Sequence, residues 1–137
     1  MLKTTLYMLC LGMIMVLSSA AGCSSSEQSV AGVVTYRQRI ALPPEAVITV
    51  QIRDVSLADA PAQVLGEQVI QAEGKQVPIP YEVKYNPGEI KENHSYSMSV
   101  RIEDNAGQLL FISDTHTPVI TGGSPTKDVE IVVVPVE

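Results

Sequence analysis

The chain has no tryptophan, a single phenylalanine and only two cysteines, Cys10 and Cys23, both near the N-terminus. From residue 24 onward it must therefore fold without an internal disulfide, and the Cys–Trp–Cys core of a true immunoglobulin domain is excluded. Positive charge is also scarce: nine Lys and Arg stand against fifteen Asp and Glu, for a net charge of −6. Apart from Arg37 and Arg39 the basic residues are scattered singly, and no basic stripe with interleaved aromatics exists, so nucleic acid is not an expected partner. There is no Gly-x-Ser-x-Gly elbow, and Thr121-Gly-Gly-Ser124 lacks the lysine and following helix of a phosphate loop. His94 and His116 are the only histidines. Asp114 and His116 alternate onto one face if their strand continues, but zinc normally takes three or four protein ligands. Glu103-Asp104 lacks the ligand spacing of a calcium loop. These residues predict no catalytic centre, no metal, no cofactor and no small-molecule substrate.

What is present begins with an apolar leader. Lys3 supplies a minimal positive flank, and Leu6 to Leu17 is mostly Leu, Met, Ile and Val. That run is short for a membrane-spanning helix, which needs about 20 residues, and suits a secretory signal. Leu17-Ser-Ser-Ala-Ala-Gly-Cys23 closes it. A cysteine at the cleavage point resembles the bacterial lipoprotein signal, departing from the commonest form only at Ala20, where Leu is usual. The resemblance implies that residues 1–22 are removed and that Cys23 carries a diacylglycerol on its thiol and an acyl chain on its amine. One chain gives reversible membrane binding and two anchoring signals give stable attachment. Ser24, in place of the Asp that retains lipoproteins in the inner membrane, implies an outer-membrane position with the folded part facing the periplasm. Residues 23–29, with the polar tract Ser24 to Ser29, read as a tether reaching roughly 20 Å when extended. Residues 30–137 read as one domain.

Within that domain the hydrophobic period is two, the signature of strands. Seven are expected, over 32–40, 46–55, 64–72, 76–85, 95–104, 108–114 and 128–136. Val34 and Tyr36 are core candidates in the first, Ile48, Val50 and Ile52 in the second, and Tyr96, Met98, Val100 and Ile102 in the fifth. Gly66 suits a bulge. Pro78 and Pro80 cannot donate to a neighbour, which puts the fourth strand at an edge. Asn86-Pro87 can cap and open one helical turn, and Asp104 to Gly107 suits a tight turn. In 108–114 either Leu109 and Phe111 or Leu110 and Ile112 face inward. The last strand is apolar on both faces in its second half, as expected for an internal strand or one covered by a partner. The fold class is all-β, a seven-stranded Greek-key β-sandwich, with a small β-barrel as the alternative.

Two surface features carry functional interest. Arg37 and Arg39 share a strand face turned from the core, where they either hold a carboxylate or solubilise the strand. The long connection 115–126, together with any open edge, suits capture of an extended peptide by strand addition.

Several blocks together carry a further likeness: Val33-Val-Thr-Tyr36-Arg, Leu42-Pro-Pro-Glu-Ala-Val, Val50 to Pro61, Val77-Pro-Ile-Pro-Tyr81, and Thr115-His-Thr-Pro-Val-Ile-Thr-Gly122. In order and spacing they resemble the YbaY/YscW-like lipoproteins, over essentially all of residues 30–136. The resemblance implies an outer-membrane lipoprotein with a β-sandwich domain and no established catalytic activity or cofactor. One branch of that family pilots the secretins of type III secretion. The expected function is a non-enzymatic lipoprotein held in lipid by acylated Cys23, whose domain binds an envelope protein, with a secretin as the sharpest candidate. A structural lipoprotein binding glycan or lipid, and a hydrolase or metal-dependent enzyme, are the alternatives.

Overall fold

The computed structural model describes residues 27–137. The leader, Cys23 and the first part of the tether lie outside the described residues. Strands form where one face alternates into the core: β1 (Gln28–Thr35), β2 (Val47–Asp54), β3 (Gln63–Gln71), β4 (Ile79–Tyr85), β5 (Tyr96–Glu103), β6 (Leu109–Ile112), β7 (Pro118–Val119), β8 (Val129–Val132) and β9 (Val134–Pro135). The seven expected strands are β1 to β6 and β8. The two-residue strands β7 and β9 are additions: β7 lies within the long connection and pairs with the start of β5, while β9 prolongs β8.

One sheet has the order β4-β1-β8, and the other β3-β2-β5-β6-β9 with β7 beside β5. They pack as a β-sandwich. Ile48, Val50 and Ile52 from β2 meet Tyr96, Met98, Val100 and Ile102 from β5, all buried. Val30 and Val34 of β1 face them, with Ile79, Tyr81, Val83 and Tyr85 of β4. Each fully buried Val or Ile contributes about 1.5–3 kcal/mol as an upper bound. In β6 neither expected pair faces inward as a pair. A bulge at Leu110 breaks the alternation, so that Leu110 packs against the core and Leu109 lies opposite Glu103. Phe111 is buried, its ring stacked on Tyr36 at 4.5 Å and 7°. That stack also explains why β1 ends at Thr35 rather than Ile40: Tyr36 turns inward, and its hydroxyl donates to the Ile40 carbonyl.

The barrel alternative is not formed. β3 and β4 approach each other where the backbone at Gly66 meets the Lys84 carbonyl, but the Glu82 N–H donates to the Gln68 side chain instead of a neighbouring strand. The proline-bearing strand β4 is an edge, as expected. Leu65 is the extra residue of a bulge opposite Ile52 and Arg53, beside Gly66. A single 3₁₀ turn, Pro87–Glu89, is capped by Asn86, whose side chain accepts from Gly88 N at 2.9 Å.

Two expectations need correction. β1 starts at Gln28, so Gln28 and Ser29 belong to a strand rather than to the tether; the Tyr85 hydroxyl donates to Gln28 Oε1 and fixes that start. Of the two readings of the C-terminal strand, internal or covered by a partner, the internal one is not formed. The strand leaves one sheet and joins the other, with Val133 buried at the crossing and its N–H donated to the Thr35 carbonyl. Among the described residues no helix is long and apolar enough to cross a membrane.

Candidate partner-binding edge

β8 is the outer strand of its sheet and runs parallel to β1, with Gly32 opposite Val129 and Thr35 opposite Val132. Val129, Ile131 and Val133 point their side chains into the core. The bond from Val133 N to Thr35 O sets the phase of the ladder. Alternation then turns the N–H and C=O groups of Glu130 and Val132 away from β1, toward the open side.

A groove of about 580 Å³ lies on the outer face of this sheet, running from Glu82 of β4 across Ala31 and Val33 of β1 to Glu130 of β8 and the segment 126–128. A second hollow of about 330 Å³ lies along the β8 edge, walled by Arg37, Asp114, Thr115 and Thr117 opposite Glu130, Val132 and Val134. Glu130 lines both. The fold thus brings Arg37, the long connection and an open strand edge to one place. Arg39 is exposed but lines neither hollow. Val132 and Val134 wall the hollow, which accounts for the apolar second face of the last strand.

Asp114 and His116 are not brought to one face, and His116 is exposed. Asp114 goes to the edge hollow, while His116 lines a separate pocket with His94, Tyr96 and Thr121. His94 is not a free loop residue: its Nδ1 donates to Asp54 Oδ2 at 2.6 Å, joining the end of β2 to the segment before β5. Asp54 Oδ1 accepts from both the hydroxyl and the N–H of Ser56. Ser56 Oγ in turn accepts from Ser95 N at 2.8 Å. The serine hydroxyl is thereby committed to the carboxylate and not offered to the imidazole, so the cluster is a clip rather than a nucleophile relay. Sequence reading missed Asp54 because its partner lies 40 residues away. Among the described residues no three of His, Cys, Asp and Glu gather as a metal would need.

Hydrogen bonds from Ser56, and then the His94 contact, outweigh burial and hold the Asp54 carboxyl down at about 2. A depressed carboxylate contributes stability above its ordinary value, and loses that contribution as pH falls toward its folded value. Asp54→Asn is expected to cost about 2 kcal/mol at neutral pH, since hydrogen bonds to a charged group are lost. Thermal melts of the two proteins should converge between about pH 4 and about pH 2 as the wild type loses this contribution. A constant gap across that window would contradict the assignment.

The described residues thus form a small all-β sandwich module in which β8 is an outer strand flanked by two hollows. Residues 25–131 match the model of the family described as type III secretion system lipoprotein chaperone (YscW). The chain belongs to that family. It is 42% identical over 106 residues to the "Uncharacterized lipoprotein YbaY" of Escherichia coli (strain K12), a match that takes in 77% of this chain and 55% of the relative. The chain thus spans about half the length of that curated relative. A solved structure of an alternative pilotin from the type II secretion system of Vibrio cholerae is 46% identical. It superposes with a TM-score of 0.77, covering 81% of this chain and 98% of the pilotin.

Proposed function

We propose that this chain is a non-enzymatic outer-membrane lipoprotein, anchored by acylated Cys23, whose periplasmic sandwich holds an envelope protein along the β8 edge. The observation that carries the reading is that edge: outward backbone groups at Glu130 and Val132, set between Arg37 and Asp114. An extended segment laid there would gain main-chain hydrogen bonds, with side-chain selection by the flanking hollows. The family's description as lipoprotein chaperones and the similarity to a pilotin favour a secretin as the partner.

Val132→Pro tests the edge. It removes one outward N–H while leaving the bonds to β1 intact, and proline is tolerated on the free side of an edge strand. The expected result is loss of the partner recovered by crosslinking in intact cells, with the melting temperature nearly unchanged. Undiminished recovery would show that the partner binds elsewhere. Val69→Lys, on an exposed face of the other sheet, should leave recovery as in the wild type.

A further inference from the structure

The N-terminal end of β1 marks the end of the sandwich from which the tether leaves. Gln28 lies opposite Tyr85, the last residue of β4, and the turn that follows Tyr85 reaches the end of β2, where Glu89, Lys91 and His94 surround one pocket with Asp54 and Gln63. The connection 55–62 between β2 and β3 therefore emerges at this same end. Leu57 on it is 71% exposed and Val55 38%. Val64 is also exposed, opposite Arg53 on the adjoining sheet face. Among the described residues, the other exposed large hydrophobics lie elsewhere: Ile40 and Val136 at the far end, and Val69 on a sheet face.

Chain length decides what this end meets. Cys23 and Glu27 are four peptide units apart, so their separation cannot exceed about 14 Å. An acylated Cys23 sits at headgroup level, which keeps this end of the sandwich close to the lipid. The connection 55–62 carries one charge, Asp59, and its root is held by the Asp54–Ser56–Ser95 hydrogen bonds, with Val55 N donating to Ser95 O. It is a projection pinned at its root, with Leu57 exposed just before a turn at 58–60 that carries Asp59.

We infer that the connection 55–62 is a second membrane contact, with Leu57 and Val55 entering the lipid surface beside the anchor. The inference rests on the anchoring of Cys23 proposed above. The same end carries Glu27, Asp59, Glu89 and Glu92 against Lys84 and Lys91, so the attraction is apolar and does not depend on anionic lipid. The anchor alone would leave the domain free to swivel. A second contact fixes its tilt and so sets how the β8 edge is presented.

The test uses the full acylated protein in vesicles of phosphatidylethanolamine and phosphatidylcholine, carrying an environment-sensitive dye at Leu57→Cys or at Ile40→Cys. Both sites are exposed, so neither substitution disturbs the core. Relative to the same labelled protein in detergent-free buffer after removal of the acylated segment by proteolysis, iodide quenching should fall about tenfold at position 57, where the apolar dye takes the place of the leucine side chain and gains at least a leucine's preference for burial. It should stay unchanged at position 40, and adding phosphatidylglycerol should alter neither. Protein that floats with the vesicles while position 57 stays as open to iodide as position 40 overturns the contact and leaves the anchor standing. Protein that does not float overturns the anchor and the contact together. Protection at position 57 in cells but not in pure lipid vesicles overturns the lipid contact in favour of a protein neighbour.

Discussion

Gly32→Ala is expected to destabilise the domain by about 3 kcal/mol or more, lowering its melting temperature by at least about 12 °C. A Cβ built on Gly32 would lie 1.8 Å from the Val129 carbonyl oxygen and within 2.6 Å of Val129 C and N. No rotamer change relieves this, because every atom concerned is backbone. The Val129 carbonyl is itself held: the Tyr81 hydroxyl donates to it at 2.8 Å in a buried site, and burial raises the phenol's pKa so that it stays a donor. Moving β8 aside would break that bond and the parallel ladder to β1, while drawing Val129 and Ile131 out of the core. Overpacking by a side chain typically costs 1–3 kcal/mol, and a clash with fixed backbone belongs at the top of that range or above it. Gly107→Ala is the internal comparison. Its φ of 81° is unfavourable for alanine, but nothing lies within 4 Å of the new Cβ, so about 1–2 kcal/mol is expected. Calorimetric melts of the two variants should separate steric exclusion from backbone strain. A Gly32→Ala loss no larger than that of Gly107→Ala would mean that β8 can slide freely over β1.

The same contact shows what alternation can and cannot reveal. Ile48, Val50 and Ile52, and likewise Tyr96 to Ile102, were legible because each strand buries one face and the pleat writes that face at every second residue. Pro78 and Pro80 disclosed an edge for the same local reason. Gly32, however, interrupts the inward series of Val30 and Val34 for a cause far along the chain, the crossing of Val129. The start of β1 was hidden because Gln28 and Ser29 are polar, and their strand character comes from pairing with Tyr85 and Lys84. In the last strand, apolar residues on both faces suggested an internal strand or one covered by a partner, and the internal reading is not formed. The strand instead serves the core with Val129, Ile131 and Val133 while Val132 and Val134 wall a surface hollow. The candidate edge was half legible: Arg37, the long connection and an open edge each stand out in the sequence, but only the topology joins them. The Asp54–His94 clip was not legible at all, since Asp114 is the acid that sequence proximity offers to a histidine.

Cys23→Ser is expected to abolish incorporation of labelled palmitate and to remove the protein from the outer-membrane fraction. Serine has no thiol to form the thioether, and without it the following steps of acylation have no substrate. Each buried CH₂ contributes about 0.8 kcal/mol, so losing two or more chains removes far more attachment than the surface of a small domain can replace. Unchanged recovery in the outer membrane would overturn the anchor. The effect on partner binding should differ between settings, and that difference separates anchor from edge. A partner held in the same membrane meets the anchored domain within a thin layer, where tethering raises the effective concentration and can strengthen association about 10²–10⁴-fold without a new contact. Crosslinking in intact cells should therefore fall steeply in Cys23→Ser. Binding of the same partner to the purified soluble domain should not change, because β8, Arg37 and Asp114 remain as they were. Val132→Pro should show the reverse pairing, with normal membrane placement and weakened binding in both settings. If Cys23→Ser also weakened binding of the purified domain, the N-terminal segment would itself be part of the partner site, and the division of labour between anchor and edge would fail.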